Sequence, residues 1–296
     1  MTKNSANPTG DAAEALSRPS EQGDDPDPHR PVLGVSRELP PFQPSPPHCH
    51  FRAQLIHASA GVMTITTSDG IWVTPPHLAL WVPSMIWHHV RVYGRVSLKT
   101  LYILPGAVPD MPDACRVVPV SPLLRELIIH ACAFPRDYDP DGPEGRVMAV
   151  ILDQMRVSTT APLYLPMPRD PRLAVVCRNL LDNPGDRRTL PELAARAGAV
   201  DRTLLRLFLK ETGLTFRIWR RQARLLAALR KLAAGEPVMA VAMDLGYESQ
   251  SAFIAMFRRA LGVTPGRYFA RDEGLRQGHA RPAAGVSQIV PDQRPP

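Results

Sequence analysis

Cysteine is scarce. Only Cys49, Cys115, Cys132 and Cys177 occur, far apart, with no CxxC pair and no short-spaced set of the kind that staples small secreted domains. Reduced thiols are the expectation. No window approaches the roughly 18 consecutive apolar residues of a membrane span, and the opening MTKNSANPTG lacks the apolar stretch of a secretory signal. The sequence therefore reads as a soluble, cytoplasmic chain. What is present is a 44% hydrophobic content over 296 residues, enough for a sizeable core and, by the usual size of domains, about two of them.

The net charge of +7 is not spread evenly. Residues 171–273 carry 18 Lys and Arg against 10 Asp and Glu, a surplus of eight that leaves the remainder of the chain at −1. Such a basic module fits either a solvated arginine-rich face or a polyanionic partner. Residues 1–30 and 273–296 are rich in Pro, Ser, Gly and charged residues without apolar periodicity, so both read as disordered tails. Between about Pro47 and Leu104, short runs (GVMTITTS, IWVTPP, LALWVP, SLKTLYIL) are punctuated by Asp69-Gly70, Pro75-Pro76 and Gly94. Asp-Gly between two such runs predicts a hairpin, and the series predicts a small barrel or sandwich over 31–120. From Ser121 apolar residues recur at helical spacing (Leu123, Leu124, Leu127, Ile128; then Val147, Val150, Ile151, Met155), and APLYLPMPRDP reads as a linker closing the segment 121–169.

Residues 170–272 hold an internal repeat at an offset of about 48 to 49 residues. In the first copy Leu190, Leu193, Ala194 and Ala197 form an apolar stripe, a turn follows at Gly198, and a second stripe runs Leu204, Leu207, Phe208 before ETGLT. In the second the counterparts are Val238, Val241, Ala242 and Leu245, a turn at Gly246, then Phe253, Met256, Phe257 before ALGVT. Short helix, glycine-containing turn and amphipathic helix make a helix-turn-helix, although one copy alone could be an ordinary helical hairpin. The fold class is thus α+β, with an N-terminal barrel, intervening helices and an all-α C-terminal domain with two helix-turn-helix units.

The second helix of such a unit lies in the major groove of DNA, where all four base pairs differ. On its outward face the first copy presents Arg202, Leu205, Arg206 and Lys210, and the second presents Gln250, Ser251, Ile254 and Ala255. Arg202 and Arg206 suit the guanine acceptors or a phosphate; Gln250 suits adenine, and the apolar residues a thymine methyl. Between the units FRIWRRQARLLAALRKLAAG predicts a helix with Phe216, Trp219 and Leu226 on its packing side and Arg217, Arg220, Arg221 and Arg224 largely on the other, near phosphate. About 17 helical residues span roughly 25 Å, which places two recognition helices about one duplex turn apart.

The segments LAARAGAVDRTLLRLFLKETGLTFRIWRRQARL and AVAMDLGYESQSAFIAMFRRALGVTPGRYF resemble the AraC/XylS family of transcription regulators, over about Arg172 to Phe269. That resemblance implies binding to double-stranded promoter DNA, activation or repression of transcription, and contact with RNA polymerase in an activator. Many relatives place an arginine where Ala255 stands, which implies weaker base readout by the second unit.

In the N-terminal part, strand alternation starting at His48-Cys49-His50 puts His48, His50, Arg52 and Gln54 on one face. With His88 downstream, the pattern HxHxxxQ…PxxxxH resembles a degenerate cupin motif, in which two histidines, an acid and a later histidine hold a divalent metal. Gln54 replaces the acid and Met85 the glycine before the last histidine. The resemblance implies a divalent metal on His48, His50, Gln54 and His88, weakened by the amide, or a polar lining that bonds internally or meets an effector. Barrel and helices together resemble the sensor half of AraC-type regulators, particularly the NimR subgroup. That likeness implies a small-molecule effector, control of a nearby efflux or detoxification gene, and a homodimer through Ser121–Phe134 and Arg146–Met155 unless those helices only cover the barrel. The competing reading is a metal-dependent cupin enzyme with an accessory basic domain; it lacks a carboxylate ligand and an identified acid or base, and a non-enzymatic regulator is the expectation.

Overall fold

The computed structural model describes residues 24–25, 27–42, 44–155, 163–196 and 201–269, with only the backbone of 201–203. Most of the two expected tails, Ala197, the turn at Gly198 and the side chain of Arg202 lie outside the described residues. The elements run β1 (Val32–Leu39), β2 (Ala53–Thr67), β3 (Gly70–Thr74), β4 (Leu78–Val82), β5 (His88–Ile103) and β6 (Arg116–Pro119), then α1 (Pro122–Ala131), α2 (Pro143–Gln154) and β7 (Tyr164–Pro166). The C-terminal part is helical: α3 (Pro171–Asp182), α4 (Leu190–Arg196), α5 (Asp201–Thr212), α6 (Phe216–Ala233), α7 (Val238–Asp244) and α8 (Gln250–Leu261). None of the described helices is long and apolar enough to cross a membrane.

The long antiparallel ribbon of β2 and β5 organises the sheet. On the far edge of β2, Gln54–His57 pairs with β4 and Met63–Thr66 with β3, the latter through the expected hairpin at Ser68-Asp69. β1 lies outside the second half of β5, β6 outside β4 and β7 outside β3. The sheet is therefore antiparallel and seven-stranded, and it does not close into the expected barrel. Its outer strands β6 and β7 have only 4 and 3 residues, too few to carry a closing ladder. APLYLPMPRDP, expected as a plain linker, supplies β7, whose Tyr164 stacks on Trp72 with ring centroids 4.0 Å apart.

Two register shifts in β2, at Ala58/Ala60 and Ala60/Val62, reverse which residues face which layer. Before them Ile56 and Ala58 fill the inner core with Leu80 and Val96, and Leu55 meets Leu124 and Ile128 of α1 and Ile151 of α2. After them Met63 and Ile65 continue the inner core, while Val62 joins Val73, Leu163 and Leu165 against the helical domain. One continuous core thus joins sheet and helices through α6, where Trp219, Ala223 and Leu225–Leu229 are all buried. Trp219 donates its Nε1–H to the Pro166 carbonyl at 2.8 Å, and the Gln222 side-chain amide donates to Tyr164. Gly94, at φ +71°, packs against the last turn of α6, where Arg230 stands over the Tyr93 ring at 5.6 Å.

Candidate DNA-binding surface and histidine cluster

Both helix-turn-helix units are built as their apolar stripes dictate. Leu190, Leu193, Ala194, Leu204 and Phe208 are buried in the first, and Val241, Ala242, Leu245, Phe253 and Phe257 in the second. Capping fixes where the helices begin. The Glu192 carboxylate reaches back to accept from the Thr189 N–H at 2.6 Å and hydroxyl at 2.8 Å, and Ser249 accepts from the Ala252 N–H at the start of α8. Gly262, at φ +79°, ends α8 in the left-handed conformation that glycine adopts without strain. The second turn holds Gly246 at φ +76°; a Cβ there would stand 2.6 Å from the Gly185 carbonyl oxygen, so the loop before α4 seats directly on it.

Burying those stripes leaves the opposite faces in solvent. Leu205, Arg206 and Lys210 of α5 are exposed; on α8, Ser251 and Ala255 are exposed and Gln250 and Ile254 half-buried. Leu205, 51% exposed, is an apolar side chain held in water on the face expected to meet base edges. The same face of α8 continues to Arg258 and Arg259, both exposed, which the sequence reading stopped short of; extending the period one further turn from Ala255 would have found them.

The arginines of α6 divide into two kinds. Arg217 and Arg221 are exposed, free to meet a phosphate. Arg220 and Arg224 instead hold the α3–α4 loop: Arg220 donates to the Arg188 carbonyl at 2.6 Å, and Arg224 to the carbonyls of Pro184 at 2.9 Å and Asp186 at 3.1 Å. Both guanidiniums thus tie this loop to α6, a role that their spacing did not suggest. Between the two units lies an open groove of about 640 Å³ lined by Arg187, Arg217, Arg220, Arg221, Arg224 and Arg259, with Glu248 its one acidic residue. A groove so lined concentrates positive potential between the two units.

The histidine cluster forms on the sheet, where the chain before β2 crosses the start of β5 through the His48–His88 bridge. His48, His50 and His88 bring ligand-capable ring nitrogens within 4.8 Å of one another, and Gln54 Oε1 is 3.1 Å from the Nε2 of both His50 and His88. All four expected residues meet. Arg52, expected on the same face, does not join them, because residues 51–52 bend before β2 begins at Ala53. Its buried guanidinium bonds the carbonyls of Asp25, Asp27 and Arg30 at 2.6, 2.9 and 2.8 Å, pinning the end of the segment expected as a disordered tail. Burial favours the neutral imidazoles, lowering the pKa of His50 and taking that of His88 down to about 3. Beside the cluster lies a cavity of about 50 Å³, bounded by the aliphatic Val35, Leu39, Ile56, Val90 and Leu98 and by the polar Arg37, Ser45, Thr100 and Tyr102.

The four cysteines are free; burial raises the thiol pKa of Cys115 and Cys132 to about 12, which removes them as nucleophiles.

Residues 193–271 match a family described as a helix-turn-helix domain. The chain is 37% identical over 238 residues to the HTH-type transcriptional regulator NimR of Escherichia coli K12, covering 80% of this chain and 87% of NimR. It is 40% identical over 77 residues to the regulatory protein SoxS of the same organism, covering 26% of this chain and 72% of SoxS. Among solved structures, the DNA-binding domain of AdpA in complex with a target DNA is 34% identical, with a TM-score of 0.34, covering 36% of this chain and 97% of that one. The chain belongs to the AraC/XylS family of transcription regulators and is a DNA-binding regulator of transcription.

Proposed function

We propose that the protein reads a promoter site with α5 and α8 in successive major grooves and that the histidine cluster is its sensor. The observation that carries the reading is the pairing of two exposed recognition faces joined by one helix: α6, at 18 residues, spans about 27 Å, of the order of the roughly 34 Å repeat of a duplex turn. Arg202 and Arg206 read bases in the first half-site, with Leu205 against a thymine methyl and Lys210 at the groove edge. Gln250, Ser251, Ile254 and Ala255 make a milder contact in the second, and Arg217 and Arg221 grip the phosphates between.

The sheet domain reports to this reader because α6 is packed against it along β2, β5 and β7. An effector at the cluster acts on DNA binding through that contact, in the manner of a cupin-like sensor. By its likeness to NimR, the regulated gene is an adjoining efflux or detoxification gene. Exposed Leu123 and Val150 on α1 and α2 support a homodimer through these helices, and RNA polymerase is the partner where the bound protein activates. Genome-wide mapping of bound sites tests the whole reading: sharp peaks upstream of a few genes, an efflux gene among them, are expected, and diffuse occupancy would refute it.

A further inference from the structure

The two recognition helices carry their arginines at different heights. When Leu204, Leu207 and Phe208 of α5 are laid on Phe253, Met256 and Phe257 of α8, the outward positions pair off as Arg202 with Ser251, Arg206 with Ala255, Leu209 with Arg258 and Lys210 with Arg259. The second helix thus lacks an arginine at 255 and holds one a turn later. An α-helix advances about 100° per residue, so Arg258 stands about 20° round the axis from Ser251, about 40° from Ile254 and about 60° from Ala255. It lies within the face turned to the bases. Arg259 stands about 140° from Ile254 and about 80° from Ser251, on the flank that borders the groove between the two units. A helical side chain points back towards the N-terminus, over the turn before its own Cα. For Arg258 that turn holds Ile254 and Ala255, and beside the alanine methyl the surface opens into a shallow trough of about 570 Å³, lined by Ser251, Ile254, Ala255, both arginines, Gly262 and Thr264. The guanidinium is uncommitted. Among the described residues the Arg258 side chain is exposed and makes no hydrogen bond or ion pair.

Resting on the reading of α8 as the second recognition helix, we propose that Arg258 lies back across Ala255 and reads a guanine in the second half-site through O6 and N7, while Arg259 meets a flanking phosphate. The planar guanidinium presents two parallel donors in a fixed fork, which matches that pair of acceptors, whereas an ammonium is a point charge. The small residue at 255 is what makes room. A side chain as long as arginine or leucine there would occupy the trough and hold Arg258 away from the base edges. The contact adds one strong reader to the weaker ones of Gln250, Ser251, Ile254 and Ala255, and one such arginine against two in α5 leaves the first block the sharper. Each half-site then specifies a guanine.

The test uses the full-length protein and the duplexes it selects from a random library. The second block should contain one G·C pair that the wild type prefers about 5- to 150-fold over the other pairs. Arg258→Ala should select the same first block at the same spacing and become indifferent at that pair. Arg258→Lys, which keeps the charge but not the fork, should lose most of the preference while the salt dependence stays as in the wild type. Arg259→Ala should weaken all duplexes alike. In the selected duplex, 7-deazaguanine at that position replaces the N7 acceptor by C–H; it should weaken the wild type and leave Arg258→Ala unaffected. Both arginines are exposed, so the variants should unfold in urea near the wild-type midpoint. A second block without a guanine, or a guanine preference that survives Arg258→Ala, would overturn the assignment and make Arg258 a phosphate contact. A different failure is the absence of any second block, which would overturn the reading of α8 itself and this inference with it.

Discussion

Gly94 lies where the sheet meets α6, and replacing it with alanine isolates the energy of that contact. Its φ of +71° costs a residue with a Cβ about 1–2 kcal/mol. The new methyl would also stand 2.4 Å from the carbonyl oxygen of Ala233, an atom of the helix backbone that no side-chain rotation can move. The end of α6 must lift, loosening the Arg230 contact on Tyr93, which is worth about 0.5–1 kcal/mol. Gly94→Ala should therefore cost about 1.5–3 kcal/mol, some 0.5–1 kcal/mol beyond the backbone cost alone. Gly106 supplies the control: its φ is +84°, but nothing lies within 4 Å of where a Cβ would go, so Gly106→Ala carries the same backbone cost of about 1–2 kcal/mol alone. Urea unfolding of the three proteins measures both. Equal losses in the two variants would refute the claim that the sheet is locked onto α6.

Arg206→Ala should lower affinity and relax preference at one base pair by about 1–3 kcal/mol, whereas Arg221→Ala should weaken specific and random duplexes alike and reduce the salt slope by about one; binding titrations on both kinds of DNA distinguish them. Ser249→Ala should destabilise the protein by about 1 kcal/mol through loss of the α8 cap, seen as a lower urea midpoint, with weaker DNA binding as a consequence. His57, wholly buried with its Nδ1 on the Leu78 carbonyl and Arg125 and His77 nearby, has a pKa lowered by burial from 6.5 to about 4. The unfolded chain thus takes up the proton first on acidification, so this contribution is whole above about pH 6.5 and is lost as pH falls towards 4, amounting to roughly 3 kcal/mol. His57→Gln should flatten that part of the stability–pH curve, and an unchanged slope would remove the assignment.

The helix-turn-helix repeat was legible because its determinants are local: an apolar stripe such as Leu204, Leu207, Phe208 fixes both the buried face and, by exclusion, the exposed one. The histidine site was legible for a weaker reason. His48 and His50 converge on Gln54 and His88, yet they precede β2 rather than starting it, and the same alternation misplaced Arg52. Open edges of the sheet, the reversal of facing at Ala58–Val62 and the pairing of Tyr164–Pro166 with β3 depend on contacts between distant segments, which no short window encodes. Arg220 and Arg224 carry the same lesson, since their period places them with Arg217 and Arg221 while the loop carbonyls at 184–188 claim them.

Selection of bound duplexes from a random library by the full-length protein tests the central claim most directly. Two half-sites read by α5 and α8 predict an enriched sequence with two short blocks centred about 10 base pairs apart, the block bound by α5 the more sharply defined, and binding that weakens steeply as salt rises. A single undivided block, or no enrichment at all with binding indifferent to salt, would contradict it.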